Sequence, residues 1–258
     1  VRSGRGHPPG RQPRTHSIHR LALSGSNLHS PRTSISNLPM KTTIEGAPSF
    51  AYLHVDLDPG ESITAESDAM SSMAADLGMK ATLNGGFFSG LAKKFLAGES
   101  LFINTFTNAT SGPRRVTLVQ TTPGNMREVQ LNGETLCLQP GAYIASTPGL
   151  KLGVRWAGLV SGIAREGFFK LTVTGTGTLW YGAYGELLER QVEGEYLVDT
   201  SHLVAYEPQM KLRLQLAGGI FSSLFGGEGF VTRVEGKGKI VIQTRSISGL
   251  ANWLNPRI

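Results

Sequence analysis

Only two histidines, His54 and His202, follow Met40, so any chemistry in this part of the chain is built around them or without them. His54, Asp56 and Asp58 alternate in LHVDLDPG. On a strand they share one face, a spacing at which an imidazole and two carboxylates could converge on a cation. The same alternation sends Leu53, Val55 and Leu57 to the opposite face, which reads the polar trio as the solvated side of a half-buried strand. Asp199, Ser201 and His202 in DTSH carry the residue types of a hydrolase triad. Adjacent strand residues point to opposite faces, however, and triads are assembled from distant parts of a chain. GGEG at 226–229 could form an anion-holding backbone nest. It lacks the Lys-Ser/Thr of a P-loop, and Glu228 would repel a phosphate.

Two polar clusters remain as the expected interaction surface: Asn104, Thr105 and Asn108 in NTFTN, and the consecutive Gln243, Thr244 and Arg245. Trimer contacts or ladder ends would account for the same residues. No residue is expected to be catalytic, no metal or cofactor is expected, and the chain is not expected to be an enzyme. Cys137 is the single cysteine, so no internal disulfide is available. Its alternation with Leu136 and Leu138 places it on one side of a strand.

The elements that carry these residues read as strands. In KLRLQL, Leu212, Leu214 and Leu216 face one way against Lys211, Arg213 and Gln215, as a half-buried strand requires. Pro59-Gly60 and Pro140-Gly141 stop strands, because proline cannot donate to a ladder and glycine accepts the positive φ of a tight turn. Strand patterns and turn signals at short spacing predict an all-β sandwich or barrel.

A phrase recurs: GGFFSGL at 85–91, AGLVSGI at 157–163 and GGIFSSL at 218–224. With Ala65, Ala145 and Ala205 upstream, Gly86, Gly158 and Gly219 inside the phrase, and Glu99, Glu166 and Glu228 downstream, it marks three copies of one module. The expected repeats run about 45–130, 131–190 and 191–246 and pack about a pseudo-threefold axis. Gly175 with Gly177, and Gly236 with Gly238, sit between alternating runs in copies two and three. A wider turn in TFTNATSGPRRVTL takes their place in copy one. The phenylalanines at 87, 88, 168, 169, 221 and 225 are expected in the core. Ile247, Leu250, Ala251 and Leu254 are spaced as on a helix, predicting a short terminal helix over an open barrel end or a neighbouring subunit.

Of 25 basic residues, the six arginines at positions 2, 5, 11, 14, 20 and 32 lie in residues 1–39, which hold none of the 19 acidic residues. From Met40 onward the charges balance, which argues against a nucleic-acid partner for the domain 40–258. The Arg- and Ser-rich stretch 1–39 is too poor in apolar residues to bury a core. It reads as a targeting segment, as a binding arm, or as an extension foreign to the native protein; the last is the favoured expectation. A cytoplasmic location is expected unless 1–39 is a genuine transit segment.

LAGESLF (96–102), PGAYIAS (140–146), VDTSHLVAY (198–206), LFGGEGFV (224–231) and GKGKIVIQTRS (236–246) resemble a family of mostly uncharacterised proteins related to a yeast mitochondrial biogenesis protein named for altered inheritance of mitochondria. The resemblance covers about residues 45–250. It implies three tandem β-units similar to the tryptophan RNA-binding attenuation protein fold, assembled as a trimer, with no enzymatic activity. It also implies a role in assembly or interaction near a membrane. A nucleic-acid-binding ring and a cupin-like metal enzyme are the alternatives.

Overall fold

A computed structural model describes residues 40–83, 102–139, 141–156, 169–216 and 230–255. Its strands are β1 (Lys41–Glu45), β2 (Tyr52–Leu57), β3 (Ser62–Glu66), β4 (Met70–Met73), β5 (Gly78–Leu83), β6 (Phe102–Thr107), β7 (Arg114–Val119), β8 (Met126–Leu138), β9 (Tyr143–Ser146), β10 (Leu150–Trp156), β11 (Phe169–Gly182), β12 (Leu187–Asp199), β13 (Leu203–Tyr206), β14 (Lys211–Leu216) and β15 (Phe230–Gln243). One helix, α1 (Ile247–Leu254), and a 3₁₀ turn at Thr200–His202 complete the described elements. The all-β expectation is met.

The strands form a four-stranded sheet, β1-β2-β7-β4, and an eleven-stranded one that runs β12-β15-β13-β8-β11-β9-β3-β6-β5, with β10 and β14 added to β11 and β15. Among the described residues neither sheet closes into a barrel.

The ladders follow one scheme. β8 runs antiparallel along β11, and β12 along β15. In the first stretch the corresponding path is cut twice. The turn at 58–61 separates β2 from β3, and residues 108–113 separate β6 from β7, while β2 pairs β7 and β3 pairs β6. The wider turn thus replaces the glycine pair, which in β11 sits at a register shift with Gly175 at φ +131°.

A short bulged strand then crosses each long path. The pairs are Met70↔Leu118 with Ser72↔Thr117, Tyr143↔Tyr181 with Ala145↔Trp180, and Leu203↔Ile242 with Ala205↔Val241. In every case one residue is skipped.

This register corrects one expected mark. Ser72, not Ala65, corresponds to Ala145 and Ala205. Ala65 lies on β3 directly opposite Ala145, as Leu138 lies opposite Ala205. The misreading came from equating two Pro-Gly turns that have different places: Gly60 lies between β2 and β3, whereas Gly141 follows β8. The expected boundaries near 130 and 190 likewise fall inside β8 and β12, which begin at Met126 and Leu187. The recurring phrases lie outside the described residues, with Gly86, Gly158, Gly219, Glu99, Glu166, Glu228 and Phe87, Phe88, Phe168, Phe221 and Phe225. Phe169 opens β11.

Burial explains why the sets join. The first core contains Leu53, Val55, Leu57 and Ile63, and it also takes Ile144, Ala145 and Trp180 from the second set. The second core takes Val204, Ala205 and Val241 from the third. The second and third sets therefore bury the middle of their bulged strands in the core of the set before, while Tyr143, Leu203 and Tyr206 stay in the cores of their own sets. In the first set the corresponding residues are Ser71, Ser72 and Thr117, exposed or half-buried.

Candidate functional site

The residues singled out for chemistry are placed apart by the fold. His54 and Asp56 share a face of β2, as expected, but Asp58 lies beyond the strand, in the turn, where its backbone N–H donates to the Glu61 carboxylate at 2.8 Å. The Arg115 guanidinium grips Asp56 through two bonds of 2.7 and 2.8 Å and holds its carboxyl below the usual range. His54 Nδ1 lies 3.0 Å from Thr117 Oγ1. Among the described residues no three His, Cys, Asp or Glu side chains cluster as metal ligands would.

DTSH is a turn. The Asp199 carboxylate accepts from both the Ser201 N–H at 2.8 Å and its hydroxyl at 2.6 Å, capping the 3₁₀ turn. His202 Nδ1 lies 2.7 Å from the Gln243 carbonyl instead. The histidine therefore does not stand between acid and serine, as a triad demands. GGEG lies outside the described residues.

The cluster Asn104, Thr105, Asn108 does not form a surface. Asn104 is buried opposite Ala65 and donates to the Ser67 carbonyl at 3.1 Å. Asn108 is fully buried: its Nδ2 donates to Leu57 O at 2.8 Å and Gly112 O at 2.9 Å, and its Oδ1 accepts from Thr110. It replaces the ladder where the wide turn interrupts it. Removing the amide leaves buried carbonyls without donors, so Asn108→Ala is expected to cost about 2 kcal/mol. A shift of the urea midpoint with unchanged slope would measure this. Thr105 alone is half-buried, in a groove beside Thr64 and Leu152.

Gln243 and Thr244 are also ties. Gln243 accepts from the Tyr184 N–H at 2.9 Å and donates to Ser201 O at 2.9 Å, and Thr244 Oγ1 accepts from the Glu186 N–H at 2.9 Å. Only Arg245 of the three is exposed.

What these ties surround was not anticipated. A cavity of about 520 Å³ opens where strand ends of all three sets meet. Glu66 and Gln120 come from the first set, Gln139 and Tyr184 from the second set and its exit, and Ser201 and Gln243 from the third. Glu66 follows Ala65 as Gln139 follows Leu138, so the two occupy corresponding positions at the ends of β3 and β8. The sequence signal was present: a polar residue closes an otherwise alternating run at both places. Burial, with Asp68 adding a like charge, raises the Glu66 carboxyl above its ordinary value. The Gln120 amide donates to Ala183 O at 2.9 Å. Gln139 Nε2 is buried without a hydrogen-bond partner among the described residues.

An all-β protein built from linked strand sets around a polar cavity is the class that this arrangement defines. Residues 42–245 match the family described as Mitochondrial biogenesis AIM24, and the chain belongs to that family. It is 26% identical over 226 residues to an uncharacterised protein of Streptococcus pyogenes serotype M6, covering 83% of this chain and 90% of that one. The crystal structure of a Streptococcus pyogenes protein superposes with a TM-score of 0.70 at 24% identity, covering 85% of this chain and all of that one, and shares the fold.

Proposed function

We propose that this protein is a non-enzymatic homo-oligomer with a role in assembly or interaction, and that it associates through the apolar face of α1. One observation carries the reading. α1 has eight residues and buries none of them, leaving Ile247 55%, Trp253 76% and Leu254 66% exposed. The sequence predicted that this helix would cover something, and among the described residues its apolar side chains stay exposed, Leu250 and Trp253 lining an open groove with Tyr184 and His202.

A helix of this length is marginal in water, and most helical stability comes from packing an apolar face. Ser246 caps the first turn, its Oγ accepting from the Gly249 N–H at 3.1 Å, but the cap supplies no partner for Trp253. Exposed aromatic and aliphatic side chains beside one another mark interaction sites. The favoured partner is a second copy, in a trimer, as the family resemblance implies. The balanced charge of residues 40–258 supports a protein partner over nucleic acid.

The full chain is expected to sediment near three times its 27.7 kDa mass at micromolar concentration. Replacing Trp253 and Leu254 together by serine is expected to yield monomer with the wild-type β-sheet circular dichroism, because neither side chain is buried, and with a melting temperature lowered only by the stabilisation that association supplied. A wild-type monomer would end the self-association reading. Flotation of that monomer with lipid vesicles, abolished by the same double substitution, would assign the helix to a membrane surface instead. No described helix is long and apolar enough to cross a membrane.

A further inference from the structure

We infer that the edge of β8 at residues 127–131 binds an extended peptide of a partner protein by taking it on as an added strand. The inference is independent of the reading of α1. It starts from the first set, where the corresponding place is filled. β1 lies along the edge of β2 that faces away from β7, paired from Lys41↔Asp56 to Glu45↔Tyr52. Met40 and Ile44 pack on the first core, and Thr42 Oγ1 donates to Glu128 Oε2 of the second set at 3.3 Å. β1 thus touches both β2 and the strand set that follows.

The register locates the same place in the second set. Leu118 and Tyr181 correspond, since Met70 and Tyr143 face them, and their partners on the long strands are Leu53 and Arg127. Val55 therefore corresponds to Val129 and Leu57 to Leu131, and by the same count Glu189 of the third set corresponds to Glu128. Among the described residues β8 pairs β11 on one side, and on the other only Cys137 and Leu138 meet a strand, β13. Beside residues 127–131 lies a groove of about 790 Å³ instead. Val129, Leu131, Tyr181, Val241 and the Glu189 that matches Glu128 line it. Val55 is fully buried beside β1, whereas Val129 is only half-buried. A strand edge with unpaired N–H and C=O groups, bordered by apolar side chains, is what recognition by strand addition uses.

The groove sets the chemistry of its occupant. Side chains alternate along a strand, so apolar residues at every second position would meet Val129 and Val241 as Met40 and Ile44 meet the first core. Three carboxylates, of Glu134, Glu189 and Glu207, face the cations of Arg127 and Lys239, which leaves the groove acidic. Both cations pair with Glu189, at 3.4 and 3.2 Å. Glu134 and Glu207 accept hydrogen bonds from Asn132 N–H and Gln209 Nε2, neither of them charged. In a peptide running antiparallel to β8, as β1 runs to β2, the place of Lys41 falls opposite Gln130, toward Glu134. A basic residue at the N-terminal end of the peptide complements that charge.

The test uses the full chain and a fluorescein-labelled peptide, MKTTIEG, with the sequence of residues 40–46. Anisotropy is expected to show saturable binding with a Kd on the order of 100 μM. Amide hydrogen exchange at residues 127–131 is expected to slow when the peptide is bound. Alternate N–H groups of an added strand face the sheet, so of the two peptides carrying Thr42→Pro or Thr43→Pro at least one should bind at least about tenfold more weakly. In the protein, Val129→Lys places a long side chain in the groove and Glu134→Lys reverses an exposed charge. Each is expected to weaken binding at least about fivefold. Should Val129→Lys fail to fold, Glu134→Lys and the proline peptides decide the matter. Trp253→Ser combined with Leu254→Ser is expected to leave the peptide affinity unchanged, which separates this site from α1. Absence of saturable binding up to about 1 mM peptide overturns the inference. So does binding that survives both substitutions in the groove, or that leaves exchange at 127–131 unaltered. Protection of 127–131 that grows with the concentration of the chain alone would give the groove to a second copy and overturn the assignment to a partner peptide.

Discussion

Trp180→Ala is expected to destabilise the protein by about 3–5 kcal/mol, the range for deleting a buried indole. Trp180 is 1% exposed, sits on β11, and packs among Leu53, Ile63 and Ala65 of the first core. It faces Ala145 across one ladder and Glu128 across the other, and its indole N–H donates to Glu128 Oε2 at 3.0 Å. The substitution therefore empties one core and loosens the joint between two strand sets together. Against a total stability of about 5–15 kcal/mol, that is a large fraction. Thermal unfolding should show a loss on the order of 10 °C for a domain of this size. Trp180→Phe separates the contributions, since it keeps most of the ring and loses only the N–H bond, for about 1 kcal/mol. Val241→Ala, at the corresponding joint between the second and third sets, removes a smaller side chain and should cost less than Trp180→Ala. A Trp180→Ala protein that melts with the wild type would refute the joint as drawn.

The same residues show how far the sequence could be read. Leu53, Val55 and Leu57 announce β2 through their period, and the structure buries all three completely. Strands were legible because alternation is a local property. The order of the sheets was not, because it depends on which strand lies beside which. Ala65 and Ala145 look alike in sequence for a reason that alignment obscures: they face each other across a joint where both side chains must be small, and they are not copies of one position. Trp180 gave no hint of entering the core of the set before its own.

The polar candidates failed for a related reason. Asn104, Asn108, Gln243 and Thr244 are conspicuous in sequence because they are polar amid apolar runs. Inside a sheet protein with cut ladders, such residues satisfy backbone groups that the ladder leaves behind. The cavity drew no notice because its Glu66, Gln120 and Gln139 stand far apart in the chain, each alone at the end of a strand. Only the junction of the three sets gives them a common address.

Gly124→Ala is expected to cost about 3 kcal/mol or more, at the upper end for a core made too crowded. Gly124 is buried in the connection that leads into β8, and it bridges Gly185 in the connection that leads into β12. An added Cβ would lie 1.9 Å from the Ala183 carbonyl oxygen, 2.6 Å from Gly185 N and 2.8 Å from Gly185 O. All three are backbone atoms, so no side chain can swing aside to make room. The two connections are tied by hydrogen bonds from Asn125 N to Gly185 O at 2.8 Å and from Gly185 N to Pro123 O at 3.0 Å. Separating them enough for a methyl group would stretch these bonds. The second connection in turn receives the end of β15, since Thr244 N donates to Glu186 O and Arg245 N to Tyr184 O. Displacement at Gly124 would thus pass to the chain that leads into α1 and to the wall of the cavity at Ala183 and Tyr184. Gly78→Ala is the control: its nearest contact would be a single carbonyl oxygen at 3.3 Å, and its expected cost is within about 0.5 kcal/mol of zero. Chemical denaturation of both variants measures the difference. Equal midpoints would mean that the two connections do not press on each other in solution.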